Sequence, residues 1–138
     1  MEKAKPHGIS TMKMNQKRDL SSIYRRIKKN CCVEWQTDTR KFYEWYDAQF
    51  ERQNQSCNYC HLPGDTIYHY GKWFRDGRRG QRLEVDRIDS GKPYSPENCV
   101  LACYPCNNAK SDVFSYEEFL EIGKAIHRVK IRLDKPSA

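Results

Sequence analysis

The sequence predicts a small α+β domain that is stabilised by bound metal. Three observations indicate this class: two Cys-x-x-Cys pairs, a strand, loop, strand and helix pattern across residues 83–112, and helical periods on both sides of it. A chain of 138 residues is long enough for one modest core and a short arm. We therefore expect a flexible basic arm at 1–17 and one domain at 18–138, with a strand-strand-helix core at about 82–112.

Four cysteines predict a structural zinc site. Cys57 and Cys60 form one pair, and Cys103 and Cys106 form the other, some way along the chain. Two such pairs can meet as a tetrahedral site of four thiolates, which suits Zn²⁺ and contributes folding free energy in a small domain. Residues 57–61 also match the Cys-x-x-Cys-His pattern of covalent haem attachment, but that reaction needs export and we see no signal-peptide pattern.

The remaining cysteines, Cys31, Cys32 and Cys99, predict neither disulfides nor a second zinc site. An odd total of seven cysteines, four of them in pairs, is typical of a reducing compartment. Two adjacent cysteines cannot easily point at one metal ion. We expect all three to behave as ordinary small residues.

The charge balance indicates a polyanionic partner. The chain has 25 basic and 18 acidic residues and a formal net charge of +7, which favours nucleic acid. Proteins that bind no polyanion also carry such an excess, so charge alone does not decide. No apolar run is long enough to span a membrane, and we expect a cytoplasmic protein.

Two helices are predicted before the first cysteine pair. Residues 19–30 repeat apolar side chains at helical spacing, beside a basic face that suits phosphates. The second helix runs from Thr39 to Gln53, with Asp38 as its N-cap and one aromatic stripe. We expect that stripe to pack against the sheet or the zinc knuckle and to position Cys57. The stripe consists of Phe42, Trp45, Tyr46, Gln49 and Phe50.

The last predicted helix runs from Phe114 to Leu133. Ser115 and Glu118 are spaced as a capping box, and apolar residues follow at coiled-coil spacing. Its apolar face either packs on the second helix or pairs with a second copy in a homodimer, and the sequence leaves both open. We expect His127, near its C-terminal third, to be solvated.

A basic β-hairpin is predicted between the first cysteine pair and the core. Two runs of β-forming residues flank Asp76-Gly77 and Gly80, which is a hairpin pattern. Its arginines suit bidentate contacts with phosphates or bases, and its tryptophan suits stacking. A solvated loop is the alternative. The candidate DNA-binding residues are Lys72, Trp73, Arg75, Arg78, Arg79 and Arg82.

A second candidate metal site consists of Asp86 and Asn107. The first is expected at the end of a strand and the second in the first turn of a helix. Oxygen ligands suit Mg²⁺, which can neutralise the charge that develops during phosphodiester hydrolysis. Lys110 follows Asn107 on the same helix face and could hold a flanking phosphate.

These motifs resemble the active site of the HNH endonucleases, whose fold is called ββα-metal. The resemblance rests on Val85-Asp86-Arg87, on Tyr94-Ser95-Pro96 followed by Asn98, and on Cys-x-x-Cys-Asn-x-x-Lys-Ser at 103–111, and it covers about residues 42–114. It is strongest for the rare-cutting restriction enzymes and the phage recombination endonucleases, which also have a four-cysteine zinc site. The resemblance implies that Asp86 and Asn107 hold a catalytic Mg²⁺ or Mn²⁺, that Asn98 braces the loop between the strands, and that the substrate is double-stranded DNA.

One position departs from the family pattern. The family's histidine that follows the metal-binding aspartate and acts as general base is Arg87 here. A guanidinium stays protonated at working pH, so we expect Arg87 to act as an electrostatic clamp on the phosphate. The proton acceptor stays open between water on the metal and the side chains of Tyr59, His69 and Asp89.

The sequence therefore predicts a metal-dependent DNA endonuclease. We expect the phage or mobile-element type, homing or nicking, or the restriction type, in a bacterial or phage-infected cell. The alternative is a zinc-stabilised nucleic-acid-binding module whose nuclease site has decayed, and Arg87 favours it.

Overall fold

The computed structural model describes residues 20–64 and 82–134. The expected arm at 1–17 and most of the expected hairpin lie outside the described residues. Residues 20–27 form α1, which continues as a 3-10 turn at Lys28–Asn30. The later elements are α2 (Val33–Thr37), α3 (Thr39–Arg52), β1 (Glu84–Arg87), a 3-10 turn (Pro96–Asn98), β2 (Cys99–Ala102), α4 (Tyr104–Lys110) and α5 (Tyr116–Asp134).

The centre of the fold is an antiparallel pair of strands that leads directly into a helix. Asp86 of β1 lies opposite Val100 of β2, and Arg87 lies opposite Cys99. Cys103 follows β2 and is the N-cap residue of α4. The strand-strand-helix core and the α+β class that the sequence predicts are therefore confirmed.

Both faces of β1 are buried, although its sequence alternates between apolar and charged residues. Leu83 and Val85 join the apolar core on one side. Glu84 and Asp86 point to the other side, as alternate residues of a strand do, and are only 5% and 7% exposed. Asn107 and Lys110 of α4 pair with them, and Arg26 of α1 and Tyr59 are further partners. A simple alternation rule assigns the charged face to solvent, and it fails here because other segments pack on that face.

The aromatic stripe of α3 builds the core beside this sheet. Phe42 and Tyr46 are fully buried, and the Tyr46 hydroxyl donates to the Leu83 carbonyl at 2.5 Å. The short helix α2, which the sequence does not predict, adds Trp35, whose ring lies edge-on to Phe42 at 5.1 Å between centroids. These contacts fix α3 against the start of β1, in agreement with the expectation that the stripe packs against the sheet.

The helix ends follow the predicted capping patterns. The Asp38 side chain accepts a hydrogen bond from the Arg40 amide at 3.1 Å, as an N-cap does. At the start of α5, the Ser115 amide donates to Glu118 at 2.8 Å and the Glu118 amide donates to the Ser115 hydroxyl at 3.0 Å. This reciprocal pair is the capping box that the sequence predicts.

The outer edge of β2 is paired with a side chain. The side-chain nitrogen of Gln53, Nε2, donates to the Leu101 carbonyl at 2.9 Å. Its side-chain oxygen, Oε1, accepts from the backbone amide of Leu101 at 3.0 Å. The Leu101 carbonyl also accepts a hydrogen bond from the backbone amide of Asn58 at 2.9 Å. The end of α3 and the first Cys-x-x-Cys segment, residues 57–60, which we call the first knuckle, are therefore both attached to β2.

Helix α5 packs on the first knuckle. A Cβ atom at Gly123 would lie 2.2 Å from the Tyr59 carbonyl oxygen, so the helix backbone and the knuckle are in direct contact. Phe119 is fully buried and packs edge-on to the Tyr59 ring at 5.2 Å. The expectation of a solvated His127 is wrong, because its Nδ1 bonds the Cys60 carbonyl at 2.7 Å and its side chain is half-buried.

Candidate metal centre and active site

The four predicted zinc ligands meet in one buried cluster. The Sγ atoms of Cys57, Cys60, Cys103 and Cys106 all lie within 4.8 Å of one another. The Cys60 and Cys103 sulfurs are 3.8 Å apart, which is the separation of about 3.8 Å that tetrahedral geometry with Zn–S bonds of about 2.3 Å requires. The donor set and its size therefore fit a tetrahedral zinc ion.

The first knuckle directs backbone amides at a ligand sulfur. The amides of Tyr59 and Cys60 lie 3.4 Å and 3.5 Å from the Cys57 sulfur. Burial raises the pKa of the Cys57 thiol, but hydrogen bonds from the other three thiols outweigh it and hold that pKa well below its usual value. The thiolate form that a metal ion binds is therefore favoured at Cys57, whereas the pKa values of the Cys103 and Cys106 thiols are raised.

Asp86 lies in β1 between the knuckle and α4. The Tyr59 hydroxyl donates to Asp86 Oδ2, and Lys110 Nζ lies 3.3 Å from the same oxygen. Burial raises the pKa of the Asp86 carboxyl, while the Tyr59 hydrogen bond and the Lys110 charge act in the opposite direction. Burial and then the Asp86 carboxylate raise the pKa of Tyr59, so the phenol stays protonated and is the donor in this pair.

Two side-chain pairs connect β1 to α4. Asp86 pairs with Lys110, and Glu84 accepts from the Asn107 amide nitrogen at 2.9 Å. Residues two apart on a strand share one face, and residues three apart on a helix do the same, so the pairs lie side by side. Glu84 is not among the site residues that the sequence predicts. Its place two residues before Asp86, on the same face of a short strand, was the available signal.

Asp86, Asn107 and Lys110 line one cavity of about 180 Å³. Arg87 also lines it and is held on one side by the Tyr94 ring, with 4.7 Å between the guanidinium carbon and the ring centroid. Arg87 also donates to the Lys92 carbonyl at 3.1 Å. The other lining residues are Val85, Ser90, Tyr94, Ser111 and Asp112.

Lys110 is more deeply buried than its expected phosphate contact requires. It is 3% exposed, and its ammonium also donates to the Arg87 carbonyl at 3.2 Å. The positive charge of Lys110 is therefore paired with the Asp86 carboxylate inside the protein. A carboxylate and an amide at one wall of a cavity are oxygen donors that fit Mg²⁺ or Mn²⁺.

Asn98 holds the loop that joins the strands. Its Oδ1 accepts from the Asp89 amide at 2.9 Å, and its Nδ2 donates to the carbonyls of Asp89 and Pro93, each at 3.0 Å. The side chain is 8% exposed and does not line the cavity. These bonds are those of a residue that braces a loop.

The three candidate proton acceptors have different positions. Tyr59 contacts Asp86 directly. Asp89 is exposed, and its Oδ1 accepts from the Gly91 amide at 2.9 Å. His69 lies outside the described residues. Tyr59 is therefore the candidate that lies closest to Asp86, but its protonated phenol donates to that carboxylate and is not a proton acceptor.

Most of the expected DNA-binding hairpin lies outside the described residues, including Lys72, Trp73, Arg75, Arg78 and Arg79. Arg82 is half-buried just before β1. The basic side chains of Arg25 and Arg26 on α1, and of Lys28 and Lys29 in the 3-10 turn that follows it, are all exposed.

The three leftover cysteines join no metal cluster within residues 20–64 and 82–134. Cys31 and Cys99 are buried, and Cys32 is half-buried. Burial raises the pKa of Cys99 to about 12. In the same part of the chain, no helix is long and apolar enough to cross a membrane.

Comparison with solved structures finds a similar nuclease. The rare-cutting HNH restriction endonuclease PacI matches with 34% sequence identity and a TM-score of 0.53, over 59% of this chain and 57% of that chain. The chain thus spans little more than half the length of that enzyme. No protein-family model and no curated protein matches the chain.

Proposed function

We propose that this chain is a metal-dependent DNA endonuclease that hydrolyses phosphodiester bonds. The observation that carries the proposal is the cavity at the strand-strand-helix core, which Asp86, Asn107, Lys110 and Arg87 line together beside a cluster of four thiols. The similarity to an HNH restriction endonuclease supports the same reaction and DNA as the partner. The phage, mobile-element and restriction types share this chemistry.

Each metal has its own donors in this proposal. Cys57, Cys60, Cys103 and Cys106 hold a structural Zn²⁺ that joins the first knuckle to α4. Asp86 and Asn107 offer oxygen atoms to Mg²⁺ or Mn²⁺, which when bound supplies positive charge against the charge that grows on the scissile phosphate.

The surrounding side chains orient these ligands and the substrate. Tyr59 and Lys110 fix the Asp86 carboxylate from two sides. Arg87 is held by Tyr94 and Lys92 with its guanidinium at the cavity, where a fixed positive charge would clamp the phosphate. Asn98 keeps the intervening loop in place.

Plasmid nicking tests the proposal. We expect supercoiled DNA to be nicked or cut with Mg²⁺ or Mn²⁺ and to remain intact with EDTA. Asp86→Ala should abolish cleavage while DNA binding, measured by gel shift, persists. Glu44→Ala, at an exposed position on α3, is the matched control and should cut at the parental rate. No metal-dependent cleavage by the parent protein on varied DNA substrates would refute the proposal.

A second candidate function is a zinc-stabilised nucleic-acid-binding module without nuclease activity. Arg87 favours it, because a guanidinium occupies the position of the family's proton-accepting histidine. This module would bind DNA with or without Mg²⁺ and cut none. Binding and nicking measured on the same protein sample separate the two functions.

A further inference from the structure

We propose that Glu84 is a positioning residue that sets the orientation of the Asn107 side-chain amide. The inference rests on the proposed function and assigns to Glu84 the task of turning the Asn107 oxygen towards the cavity. Glu84 does not line that cavity itself, so it would act only through Asn107.

The hydrogen bond between the two residues fixes which end of the amide faces Glu84. Asn107 Nδ2 donates to Glu84 Oε1 at 2.9 Å. A carboxylate accepts hydrogen bonds and donates none, so the NH₂ end of the amide must face it. A flipped amide would place two acceptor oxygens at that distance. The Oδ1 end is therefore directed away from Glu84 and remains free to serve as a ligand.

The burial of Glu84 supports a specific role. Glu84 is 5% exposed, and a buried carboxylate lowers the stability of the fold unless it is paired. Arg26 of α1, at 3.7 Å, offsets part of the charge from the surface side. A carboxylate at this position therefore has a use that an apolar residue could not supply.

Glu84 and Lys110 have corresponding positions in the two side-chain pairs that connect β1 to α4. Lys110 restrains Asp86, and Glu84 restrains Asn107, so each expected metal ligand is held by a residue of the opposite element. Partners of this kind orient metal ligands, and their loss usually lowers metal affinity or activity by about 10–100-fold.

Substitution and exchange of the pair test the inference. In the zinc-loaded full chain, Glu84→Ala should weaken Mn²⁺ binding, measured by electron paramagnetic resonance, by about 10–100-fold. Cleavage should recover in part when the Mn²⁺ concentration is raised, which a merely structural defect would not allow. Glu121→Gln, at an exposed position on α5, is the control and should bind Mn²⁺ as the parent does.

A double variant keeps the inference testable if Glu84→Ala does not fold. Asn107→Asp alone places two carboxylates together and should lower both thermal stability and Mn²⁺ affinity. Adding Glu84→Gln supplies an NH₂ donor to the new carboxylate and should restore both. A double variant as impaired as Asn107→Asp would overturn the inference, as would parental Mn²⁺ affinity in a folded Glu84→Ala protein. Absence of Mn²⁺ binding and cleavage in the parent would instead overturn the proposed function.

Discussion

Tyr59 of the first knuckle donates its hydroxyl hydrogen to Asp86 of β1, so one hydrogen bond joins the thiol cluster to the candidate active site. The Tyr59 ring is held in turn by Phe119 of α5, which packs edge-on against it. Three segments far apart in sequence therefore determine where the Asp86 carboxylate points.

Tyr59→Phe should lower the cleavage rate by about 10–100-fold, because it removes the hydroxyl that orients Asp86 and keeps the ring that packs against α5. Zinc content and the unfolding temperature should stay close to those of the parent. Tyr43→Phe, a half-buried tyrosine on α3, is the matched control. Parental cleavage by Tyr59→Phe would show that the hydroxyl has no part in the reaction.

Gly123→Ala should destabilise the protein, since the new methyl group would lie 2.2 Å from the Tyr59 carbonyl oxygen. We expect a loss of about 1–3 kcal/mol from the clash, against a gain of about 1 kcal/mol from helix propensity. Urea unfolding of the zinc-loaded protein measures the difference. Ala125→Gly on the same helix calibrates the propensity alone. A more stable Gly123→Ala protein would mean that α5 and the knuckle are not in direct contact.

Cys60→Ser or Cys106→Ser should give insoluble or unfolded protein, because the four thiolates clamp segments that are distant in sequence. Cys32→Ser, which changes a half-buried thiol outside the cluster, should remain folded. Metal analysis of the purified parent should find one zinc ion per chain. A folded parent without tightly bound zinc would contradict the assignment.

Arg87→Ala should lower the cleavage rate by about 100-fold, since it removes a fixed positive charge from the cavity. The shape of the pH–rate profile should not change, because a guanidinium does not titrate in the working range. Arg52→Ala, at an exposed position on α3, serves as the control. A changed pH profile would indicate that Arg87 controls the group that accepts the proton.

Replacement of Arg78 and Arg79 by Ala should weaken DNA binding and flatten its salt dependence. Each lost phosphate contact should reduce the slope of log K against log salt by about 0.9. Lys124→Ala, on the exposed face of α5, should leave the slope unchanged. An unchanged slope in the double variant would identify the expected hairpin as a solvated loop.

The features that could be predicted from the sequence depend on residues close together in the chain. Ser115 and Glu118 of the capping box are three residues apart, and so are the two cysteines of each Cys-x-x-Cys pair. The helix that follows Asp38 has a strong aromatic period. Hydrogen-bonding and packing rules act directly on such spacings, so these elements appear where they were expected.

The features that could not be predicted depend on how distant segments are packed. The burial of Glu84 is one such feature, because a charged residue in an alternating strand is expected to face solvent, and here its partners are Asn107 of α4 and Arg26 of α1. The hydrogen bond of His127 also depends on packing between segments, since nothing in its own helix shows that the Cys60 carbonyl lies beside it. Trp35 becomes a core residue only because a five-residue helix turns it towards Phe42.

The Gln53 amide occupies the outer edge of β2 as a short piece of a third strand would. Its oxygen and nitrogen satisfy both main-chain groups of Leu101, at 3.0 Å and 2.9 Å. An open strand edge is a template on which another chain can add and aggregate. A side-chain amide has the same donor and acceptor as a peptide bond but no further chain to extend the ladder. One glutamine at the end of α3 thus blocks intermolecular strand addition at the centre of β2.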